Sequence, residues 1–156
     1  NLKEAASIRG ISSDRIVFAQ KIPHADHLAR LKLADLFLDT FNYNAGATAT
    51  DALWSGLPLI TKMGQGYTAR MAGSILSAIG LSELIVTEES QYEKLALRLA
   101  TAPGELIQIR KKLAANRLAT PLFDTELSTK HLENGYSQAY KLYFEGKSPD
   151  HIYVSE

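Results

Sequence analysis

Short apolar runs alternate along the chain with longer segments in which apolar residues recur at helical spacing. Runs rich in Ile, Leu, Val and Phe predict strands over 15–20, 35–39, 58–62 and 83–86. The helical pattern covers 2–9, 25–34, 48–55, 67–79, 91–100 and 103–119, and then a long C-terminal helix over 124–145. Gly10 and Gly80 follow two of these helices directly and are typical helix-ending residues.

Single helices separate consecutive strands, and this order predicts right-handed crossovers. The fold class is therefore α/β, a parallel sheet with helices on both faces, formed as a single domain over 1–156. In such sheets ligands bind beyond the carboxyl ends of the strands. Three loops lie there: 21–26, 40–47 and 63–67.

Charge and composition restrict the class of partner. The 156 residues include 17 Lys plus Arg and 17 Asp plus Glu, so the formal net charge is zero. That balance gives no electrostatic attraction for nucleic acid or an anionic membrane, and neither is expected as a partner. The chain has no cysteine, which excludes disulfides and thiolate metal sites and agrees with a cytoplasmic location. It begins at Asn1 inside a helical pattern, and we expect it to be a piece of a longer protein.

The segment 36–58 carries the clearest candidate chemistry. An apolar run leads into a turn of small residues, and the turn opens a helix containing Thr48 and Asp51. The N–H groups and the dipole of a helix start form a favourable site for phosphate. Gly46 has no Cβ, so an anion can approach the main chain closely. Asp51, one turn further on, is placed to accept hydrogen bonds from a ribose. The segment indicates a nucleotide-binding half of an α/β enzyme.

A second interpretation of the same residues involves no ligand. Thr48-x-x-Asp51 is close to a capping box, in which Thr48 is the N-cap and the acidic residue three positions later bonds back to it. Many helices begin in this way and bind nothing. The residues alone leave both interpretations open.

A cluster of His and Arg follows the first predicted strand. His27 and Arg30 are three residues apart and so share one face of a helix, with His24 just before them. An imidazole can stack on a base, and a guanidinium can bond a carbonyl or a phosphate. The alternative is an ordinary solvated helix. A metal site is not predicted, because no third ligand follows at helical spacing.

Taken together, these segments resemble the O-linked N-acetylglucosamine transferase family, which includes the plant SPINDLY proteins and bacterial tetratricopeptide-repeat transferases. The matching residues are RIVFAQ at 15–20, the His27-x-x-Arg30 pair, LADLFLDT at 33–40, NAGATATDALWSGLP at 44–58, SELI at 82–85 and ATPLFDT at 119–125. Their order and spacing persist over nearly the whole chain. The resemblance implies the C-terminal, Rossmann-like half of a GT-B glycosyltransferase, which holds a UDP-sugar donor without metal or other cofactor.

The resemblance also implies a set of nucleotide-binding residues. They are Ile22, His24, His27, Arg30, Asn44, Gly46, Ala47, Thr48 and Asp51. By this similarity His27, Arg30 and the backbone near Ile22 bind uracil. His24 lies near the ribose, whose hydroxyls Asp51 holds. The helix start receives the diphosphate. Relatives have His and Thr where this chain has Gly46 and Ala47, so two side-chain donors to the diphosphate are missing, which leaves the backbone N–H groups and Thr48.

The activity implied is that of an inverting protein O-glycosyltransferase that moves N-acetylglucosamine to Ser or Thr. The resemblance places the Lys that supports the leaving diphosphate, and the other catalytic groups, upstream of Asn1. The piece is therefore expected to be inactive alone, with its protein acceptor bound through upstream domains. The alternatives are a GT-B-type nucleotide-sugar epimerase domain and a non-catalytic nucleotide-binding module.

Overall fold

The computed structural model describes residues 1–154. Within that range the strands are β1 (Phe37–Leu38), β2 (Leu59–Lys62) and β3 (Ile85–Val86). The helices are α1 (Leu2–Ile8), α2 (His24–Leu31), α3 (Ala47–Trp54), α4 (Met71–Ala78), α5 (Glu89–Thr101), α6 (Pro103–Asn116) and α7 (Thr125–Phe144). The long C-terminal helix expected over 124–145 corresponds to α7, and the Asp124 side chain caps it by accepting from Leu127 N–H at 2.8 Å.

The three strands form one parallel sheet in the order β1-β2-β3. In β2, Leu59 and Ile60 are neighbours, so their side chains point to opposite faces of the sheet. Both are fully buried, which means that the sheet is covered on both faces. Helices α3, α4 and α5 pack against β2. The prediction of a Rossmann-like α/β fold is confirmed.

The strand predicted over 15–20 does not form. Residues 13–15 make a 3₁₀ turn, and 16–23 have no regular structure. Val17 and Phe18 are 84% and 64% exposed. An apolar run becomes a strand only when another strand pairs with it, and within residues 1–154 β1 pairs with β2 alone. The composition of the run was typical of a strand, but the pairing it requires is absent from the described residues.

The core is built around β2 and the inward faces of the helices. Its fully buried members include Leu53, Leu59, Ile60, Leu76, Leu84, Leu99 and Leu113. Helix α3 contributes Ala49, Ala52 and Leu53, which are all fully buried. The hydrophobic effect on these residues fixes α3 against the sheet, and so fixes where its first turn lies.

Gly80 lies just after α4, and both its backbone conformation and the space around it favour glycine. It has a φ of +71°, and a Cβ there would lie 2.8 Å from Asn116 Nδ2. That amide nitrogen donates to the Ile79 carbonyl at 2.8 Å, which ties α6 to the end of α4. The prediction that Gly80 ends the helix is confirmed.

We expect Gly80→Ala to lower the free energy of unfolding by about 1–2 kcal/mol, the cost of a left-handed conformation for a residue with a Cβ. The measurement is urea denaturation followed by circular dichroism. Gly104→Ala is the matched control, because no heavy atom lies within 4 Å of a Cβ at that position. Equal stability of the two variants would contradict the structural role given to Gly80.

Candidate functional site

A cavity of about 450 Å³ opens where β1 ends and α3 begins. Its wall is made by β1, by the loop that follows β1, and by the first residues of α3, with Met71 of α4 beside them. No side chain caps the helix start. The first N–H groups of a helix lack intrahelical acceptors and carry its positive dipole end, so this cavity favours an anion.

Helix α3 begins two residues earlier than the capping-box interpretation requires. Gly46 is the N-cap, and its carbonyl accepts from the N–H groups of Ala49 and Thr50 at 2.9 and 3.1 Å. Thr48 is therefore inside the helix, where it cannot cap it, and Asp51 lies in the second turn. The capping box is wrong. Since Asp51 has no capping contact to make, its carboxylate is directed elsewhere.

Small residues at the helix start keep its backbone accessible. Ala47 and Thr48 are exposed, and both line the cavity together with Gly46. A Cβ on Gly46 would lie 3.2 Å from the sulfur and 3.3 Å from the Cε of Met71. A Cβ at position 46 would therefore require the end of the Met71 side chain to shift by a few tenths of an ångström.

The loop between β1 and α3 is held in place by the buried carboxylate of Asp39, which is 5% exposed. Its Oδ1 accepts from the N–H groups of Thr40 and Ala45, both at 2.8 Å. Its Oδ2 accepts from the Thr61 hydroxyl of β2 at 2.7 Å. One side chain thus ties the first and last residues of the loop to the sheet.

Asn44 lies in the same loop with its side chain fully buried. Its Nδ2 donates to the Thr40 carbonyl at 2.7 Å, and its backbone N–H donates to the Thr68 carbonyl at 2.9 Å. In the part of the chain that the structure describes, Asn44 Oδ1 has no hydrogen-bond partner. The buried Asn44 side chain therefore supports the wall of the cavity.

Tyr92 of α5 supports the loop from the other side of β1. Its hydroxyl donates to the Asp39 carbonyl at 2.9 Å, and its ring packs edge-on against Phe41 with the centroids 5.0 Å apart. Burial, followed by the negative charge of Asp39, raises the pKa of Tyr92 to about 12. The hydroxyl therefore keeps its proton, and its role as donor, at neutral pH.

A second cavity, of about 620 Å³, lies between the extended segment 19–23 and α2. Ile22, His24, His27 and Arg30 are among the residues that line it. The Arg30 guanidinium donates to the Gln20 carbonyl at 2.9 Å and to His27 Nδ1 at 2.8 Å. Because guanidinium only donates, Nδ1 of His27 is the unprotonated ring nitrogen. Arg30 thus fixes the orientation and the tautomer of His27.

A contact between His24 and Asp51 connects the two cavities. His24 Nε2 lies 3.2 Å from each carboxylate oxygen of Asp51. His24 lines the second cavity, and Asp51 lies on the helix whose start lines the first. Each carboxylate oxygen accepts more than one hydrogen bond, so Asp51 retains capacity for a ribose hydroxyl. The contact therefore joins the surface of the second cavity to helix α3.

Three residues that build this surface were missed in the sequence. Asp39 was assigned to the end of a predicted strand, and Thr61 and Tyr92 were given no role. The available signal was an acidic residue at the carboxyl end of a buried apolar run, where parallel sheets place their sites. Its partners were not detectable, because Thr61 and Tyr92 are distant in sequence and meet Asp39 only after folding.

Within residues 1–154, no group of three His, Asp or Glu side chains is arranged to hold a metal ion. The same residues include no helix of the length and apolar character that crossing a membrane requires.

A parallel α/β sheet with helices on both faces and a cavity at the carboxyl end of β1 is the arrangement of a Rossmann-like half of a GT-B glycosyltransferase. Residues 1–132 match Glycosyl transferase family 41, and the chain belongs to that family.

Individual relatives agree with this assignment. The chain is 38% identical over 152 residues to a probable UDP-N-acetylglucosamine–peptide N-acetylglucosaminyltransferase SEC of Arabidopsis thaliana, covering 97% of this chain and 16% of that protein. It is 34% identical over 124 residues to the corresponding SPINDLY protein of Hordeum vulgare, covering 80% of this chain and 13% of the relative.

A solved structure matches as well, the K341M mutant of the Thermobaculum terrenum O-GlcNAc transferase. The TM-score is 0.82 at 31% identity, with 88% of this chain and 26% of that chain covered. The resemblance stated from the sequence is confirmed. The chain spans only a small part of the length of the relatives it matches.

Proposed function

We propose that this chain is the UDP-sugar-binding half of an inverting protein O-glycosyltransferase that transfers N-acetylglucosamine to Ser or Thr and is inactive alone. The relatives named above carry that donor and a peptide acceptor in their names. The observation that carries the proposal is the His24–Asp51 contact, which links the His27–Arg30 cavity to the helix whose start, at Gly46, lines the first cavity.

The uridine end of the donor is assigned to the second cavity. The His27 ring, held by Arg30, presents a flat face on which uracil can stack, and the backbone near Ile22 meets the edge of the base. Asp51 accepts the ribose hydroxyls, while His24 holds its carboxylate in place. A planar imidazole suits a base, and the single carboxylate suits a hydroxyl donor.

The diphosphate is assigned to the start of α3. Backbone N–H groups of Gly46, Ala47 and Thr48, with the Thr48 hydroxyl, are the donors, and Asn44 contributes through the shape of the loop.

The acceptor hydroxyl attacks the anomeric carbon as the bond from that carbon to the diphosphate oxygen breaks, and UDP leaves with the electron pair. A positive helix end that stabilises the departing charge lowers the barrier to this step. The proton of the hydroxyl passes to a base outside this chain. No metal or cofactor takes part.

The test is titration of the isolated chain with UDP, followed by amide NMR. We expect weak binding, with a Kd near about 1 mM, since half of a cleft leaves the ligand partly exposed. The amides that shift should be those of residues 22–30 and 44–51. Shifts confined to α6 and α7 would contradict the site assignment.

Asp51→Ala sharpens the same test. The carboxylate contacts the exposed His24, so its removal should change stability little and lower UDP affinity about tenfold, the loss of a charge-assisted hydrogen bond to the ribose. Binding of free uracil, which does not need the ribose contact, should stay unchanged. The exposed Asp26 on α2 supplies the matched control Asp26→Ala. Unchanged UDP affinity in Asp51→Ala would remove the ribose role.

A further inference from the structure

Asp39 lies at a position where its charge is unfavourable for the proposed ligand. It lines the same cavity as Gly46, Ala47 and Thr48, where the diphosphate is assigned, and a carboxylate repels a phosphate. Within residues 1–154 no Lys, Arg or His forms an ion pair with it. Attraction of the ligand is therefore not the role of this side chain.

The hydrogen bonds of Asp39 indicate a different role. Its Oδ1 accepts from Thr40 and Ala45, the two ends of the loop, and Ala45 directly precedes the N-cap of α3. Its Oδ2 is held by the buried Thr61 hydroxyl, and its carbonyl is held by Tyr92. The loop thus closes on Oδ1 of Asp39, while Oδ2 of the same side chain is tied to β2 and the backbone carbonyl of Asp39 is tied to α5.

We infer that Asp39 is a positioning residue for the diphosphate: it sets where the first turn of α3 presents its N–H groups. This inference rests on the proposed function of that helix start. The fit of a bound anion depends on N–H groups at hydrogen-bond distance, and a loop released from Asp39 lets that turn shift. The Asp39 carboxylate accepts three hydrogen bonds in a buried position, and these bonds fix the geometry of the helix start.

Two substitutions at Asp39 separate geometry from charge. In Asp39→Asn the amide oxygen accepts the two N–H groups as Oδ1 does, and the amide nitrogen donates to the Thr61 hydroxyl, which accepts equally well. The loop keeps its position, and the repulsion is removed. In Asp39→Ala all three bonds are lost. Asp35→Ala, which removes an exposed carboxylate just before β1, is the matched control.

The experiment measures the Kd of UDP and of uridine for each variant of this chain by NMR, counting only folded protein. We expect Asp39→Ala to bind UDP about tenfold more weakly, because the loop loses its charge-assisted hydrogen bonds to Asp39. The Kd of uridine should stay within about twofold of that of the parent. Asp39→Asn and Asp35→Ala should bind UDP at least as well as the parent. A merely structural role would move both ligands together, so their ratio is the decisive readout.

Other outcomes overturn the inference. It fails if Asp39→Ala binds UDP like the parent, if it loses UDP and uridine equally, or if Asp39→Asn is as weak as Asp39→Ala. If Asp39→Ala does not fold, Tyr92→Phe replaces it, since only the hydroxyl on the Asp39 carbonyl is then lost. That variant should lower UDP affinity about threefold with uridine unchanged, and equal UDP affinity overturns the inference. A parent chain that binds uridine but not UDP overturns the proposed function itself.

Discussion

The isolated 156-residue chain is expected to transfer no detectable sugar from UDP-N-acetylglucosamine to a Ser/Thr-rich peptide, although we expect it to bind UDP. Transfer requires the donor, the acceptor and the leaving-group ligand to be held together, and such orientation contributes roughly 7–11 kcal/mol in favourable cases. The site proposed above would hold only the nucleotide part of the donor. The resemblance assigns the leaving-group Lys and the catalytic base to the region before Asn1.

The measurement compares this chain with a version extended upstream through the second Rossmann-like half and any repeats, at equal concentration. Product is followed by mass spectrometry of the peptide. We expect turnover only from the extended version, and Asp51→Ala in that version should raise KM for the donor. Activity of the short chain would show that the catalytic groups have been misplaced.

The extended version also separates the two alternatives. Transfer from another UDP-sugar alone would retain the glycosyltransferase and change the sugar. Inversion at a ring carbon of the free UDP-sugar, without any acceptor, would establish an epimerase. If the extended version binds UDP but catalyses neither reaction, the chain is part of a non-catalytic nucleotide-binding module.

Much of the fold could be predicted because local pattern and tertiary structure agree. The helices α4 to α7 follow apolar spacing closely, and Gly80 marks the end of α4 through a positive φ that favours glycine. The run 15–20 has the same local signature as β2. Within residues 1–154, however, β2 pairs with a strand on each side, whereas the run 15–20 pairs with none. Strand pairing is a long-range property, and a single run does not contain it.

The site was predictable in its residue types and less so in its construction. The spacing of His27 and Arg30 predicted one shared helical face, and in the structure these two side chains form a hydrogen bond with each other. The capping-box interpretation placed the N-cap of α3 two residues late, at Thr48, because a Thr followed three residues later by an acidic residue is a common helix start. The loop conformation, fixed by Asp39 from the sheet, decides the start instead. Such an influence passes between residues that are distant in sequence.

Leu53→Ala is expected to be the most destabilising single substitution near the site, lowering the free energy of unfolding by about 2–5 kcal/mol. Leu53 is fully buried in the core cluster and lies on the inward face of α3, so its loss leaves a cavity under the site helix. Leu97→Ala is the matched control, since Leu97 is 58% exposed on α5. The control should change stability by no more than about 0.5 kcal/mol.

Ligand binding offers a check on this prediction through linkage. If UDP binds only the folded chain, free UDP at about ten times its Kd raises the free energy of unfolding by about 1.4 kcal/mol. The increment should be the same for the parent, Leu53→Ala and Leu97→Ala, because none of these side chains contacts the proposed ligand. In Asp51→Ala, at the same UDP concentration, it should fall to about 0.4 kcal/mol, because a tenfold weaker Kd leaves UDP near its Kd. Urea denaturation with and without UDP measures both effects. A small cost for Leu53→Ala together with a full UDP increment would mean that α3 presents its N–H groups without relying on Leu53.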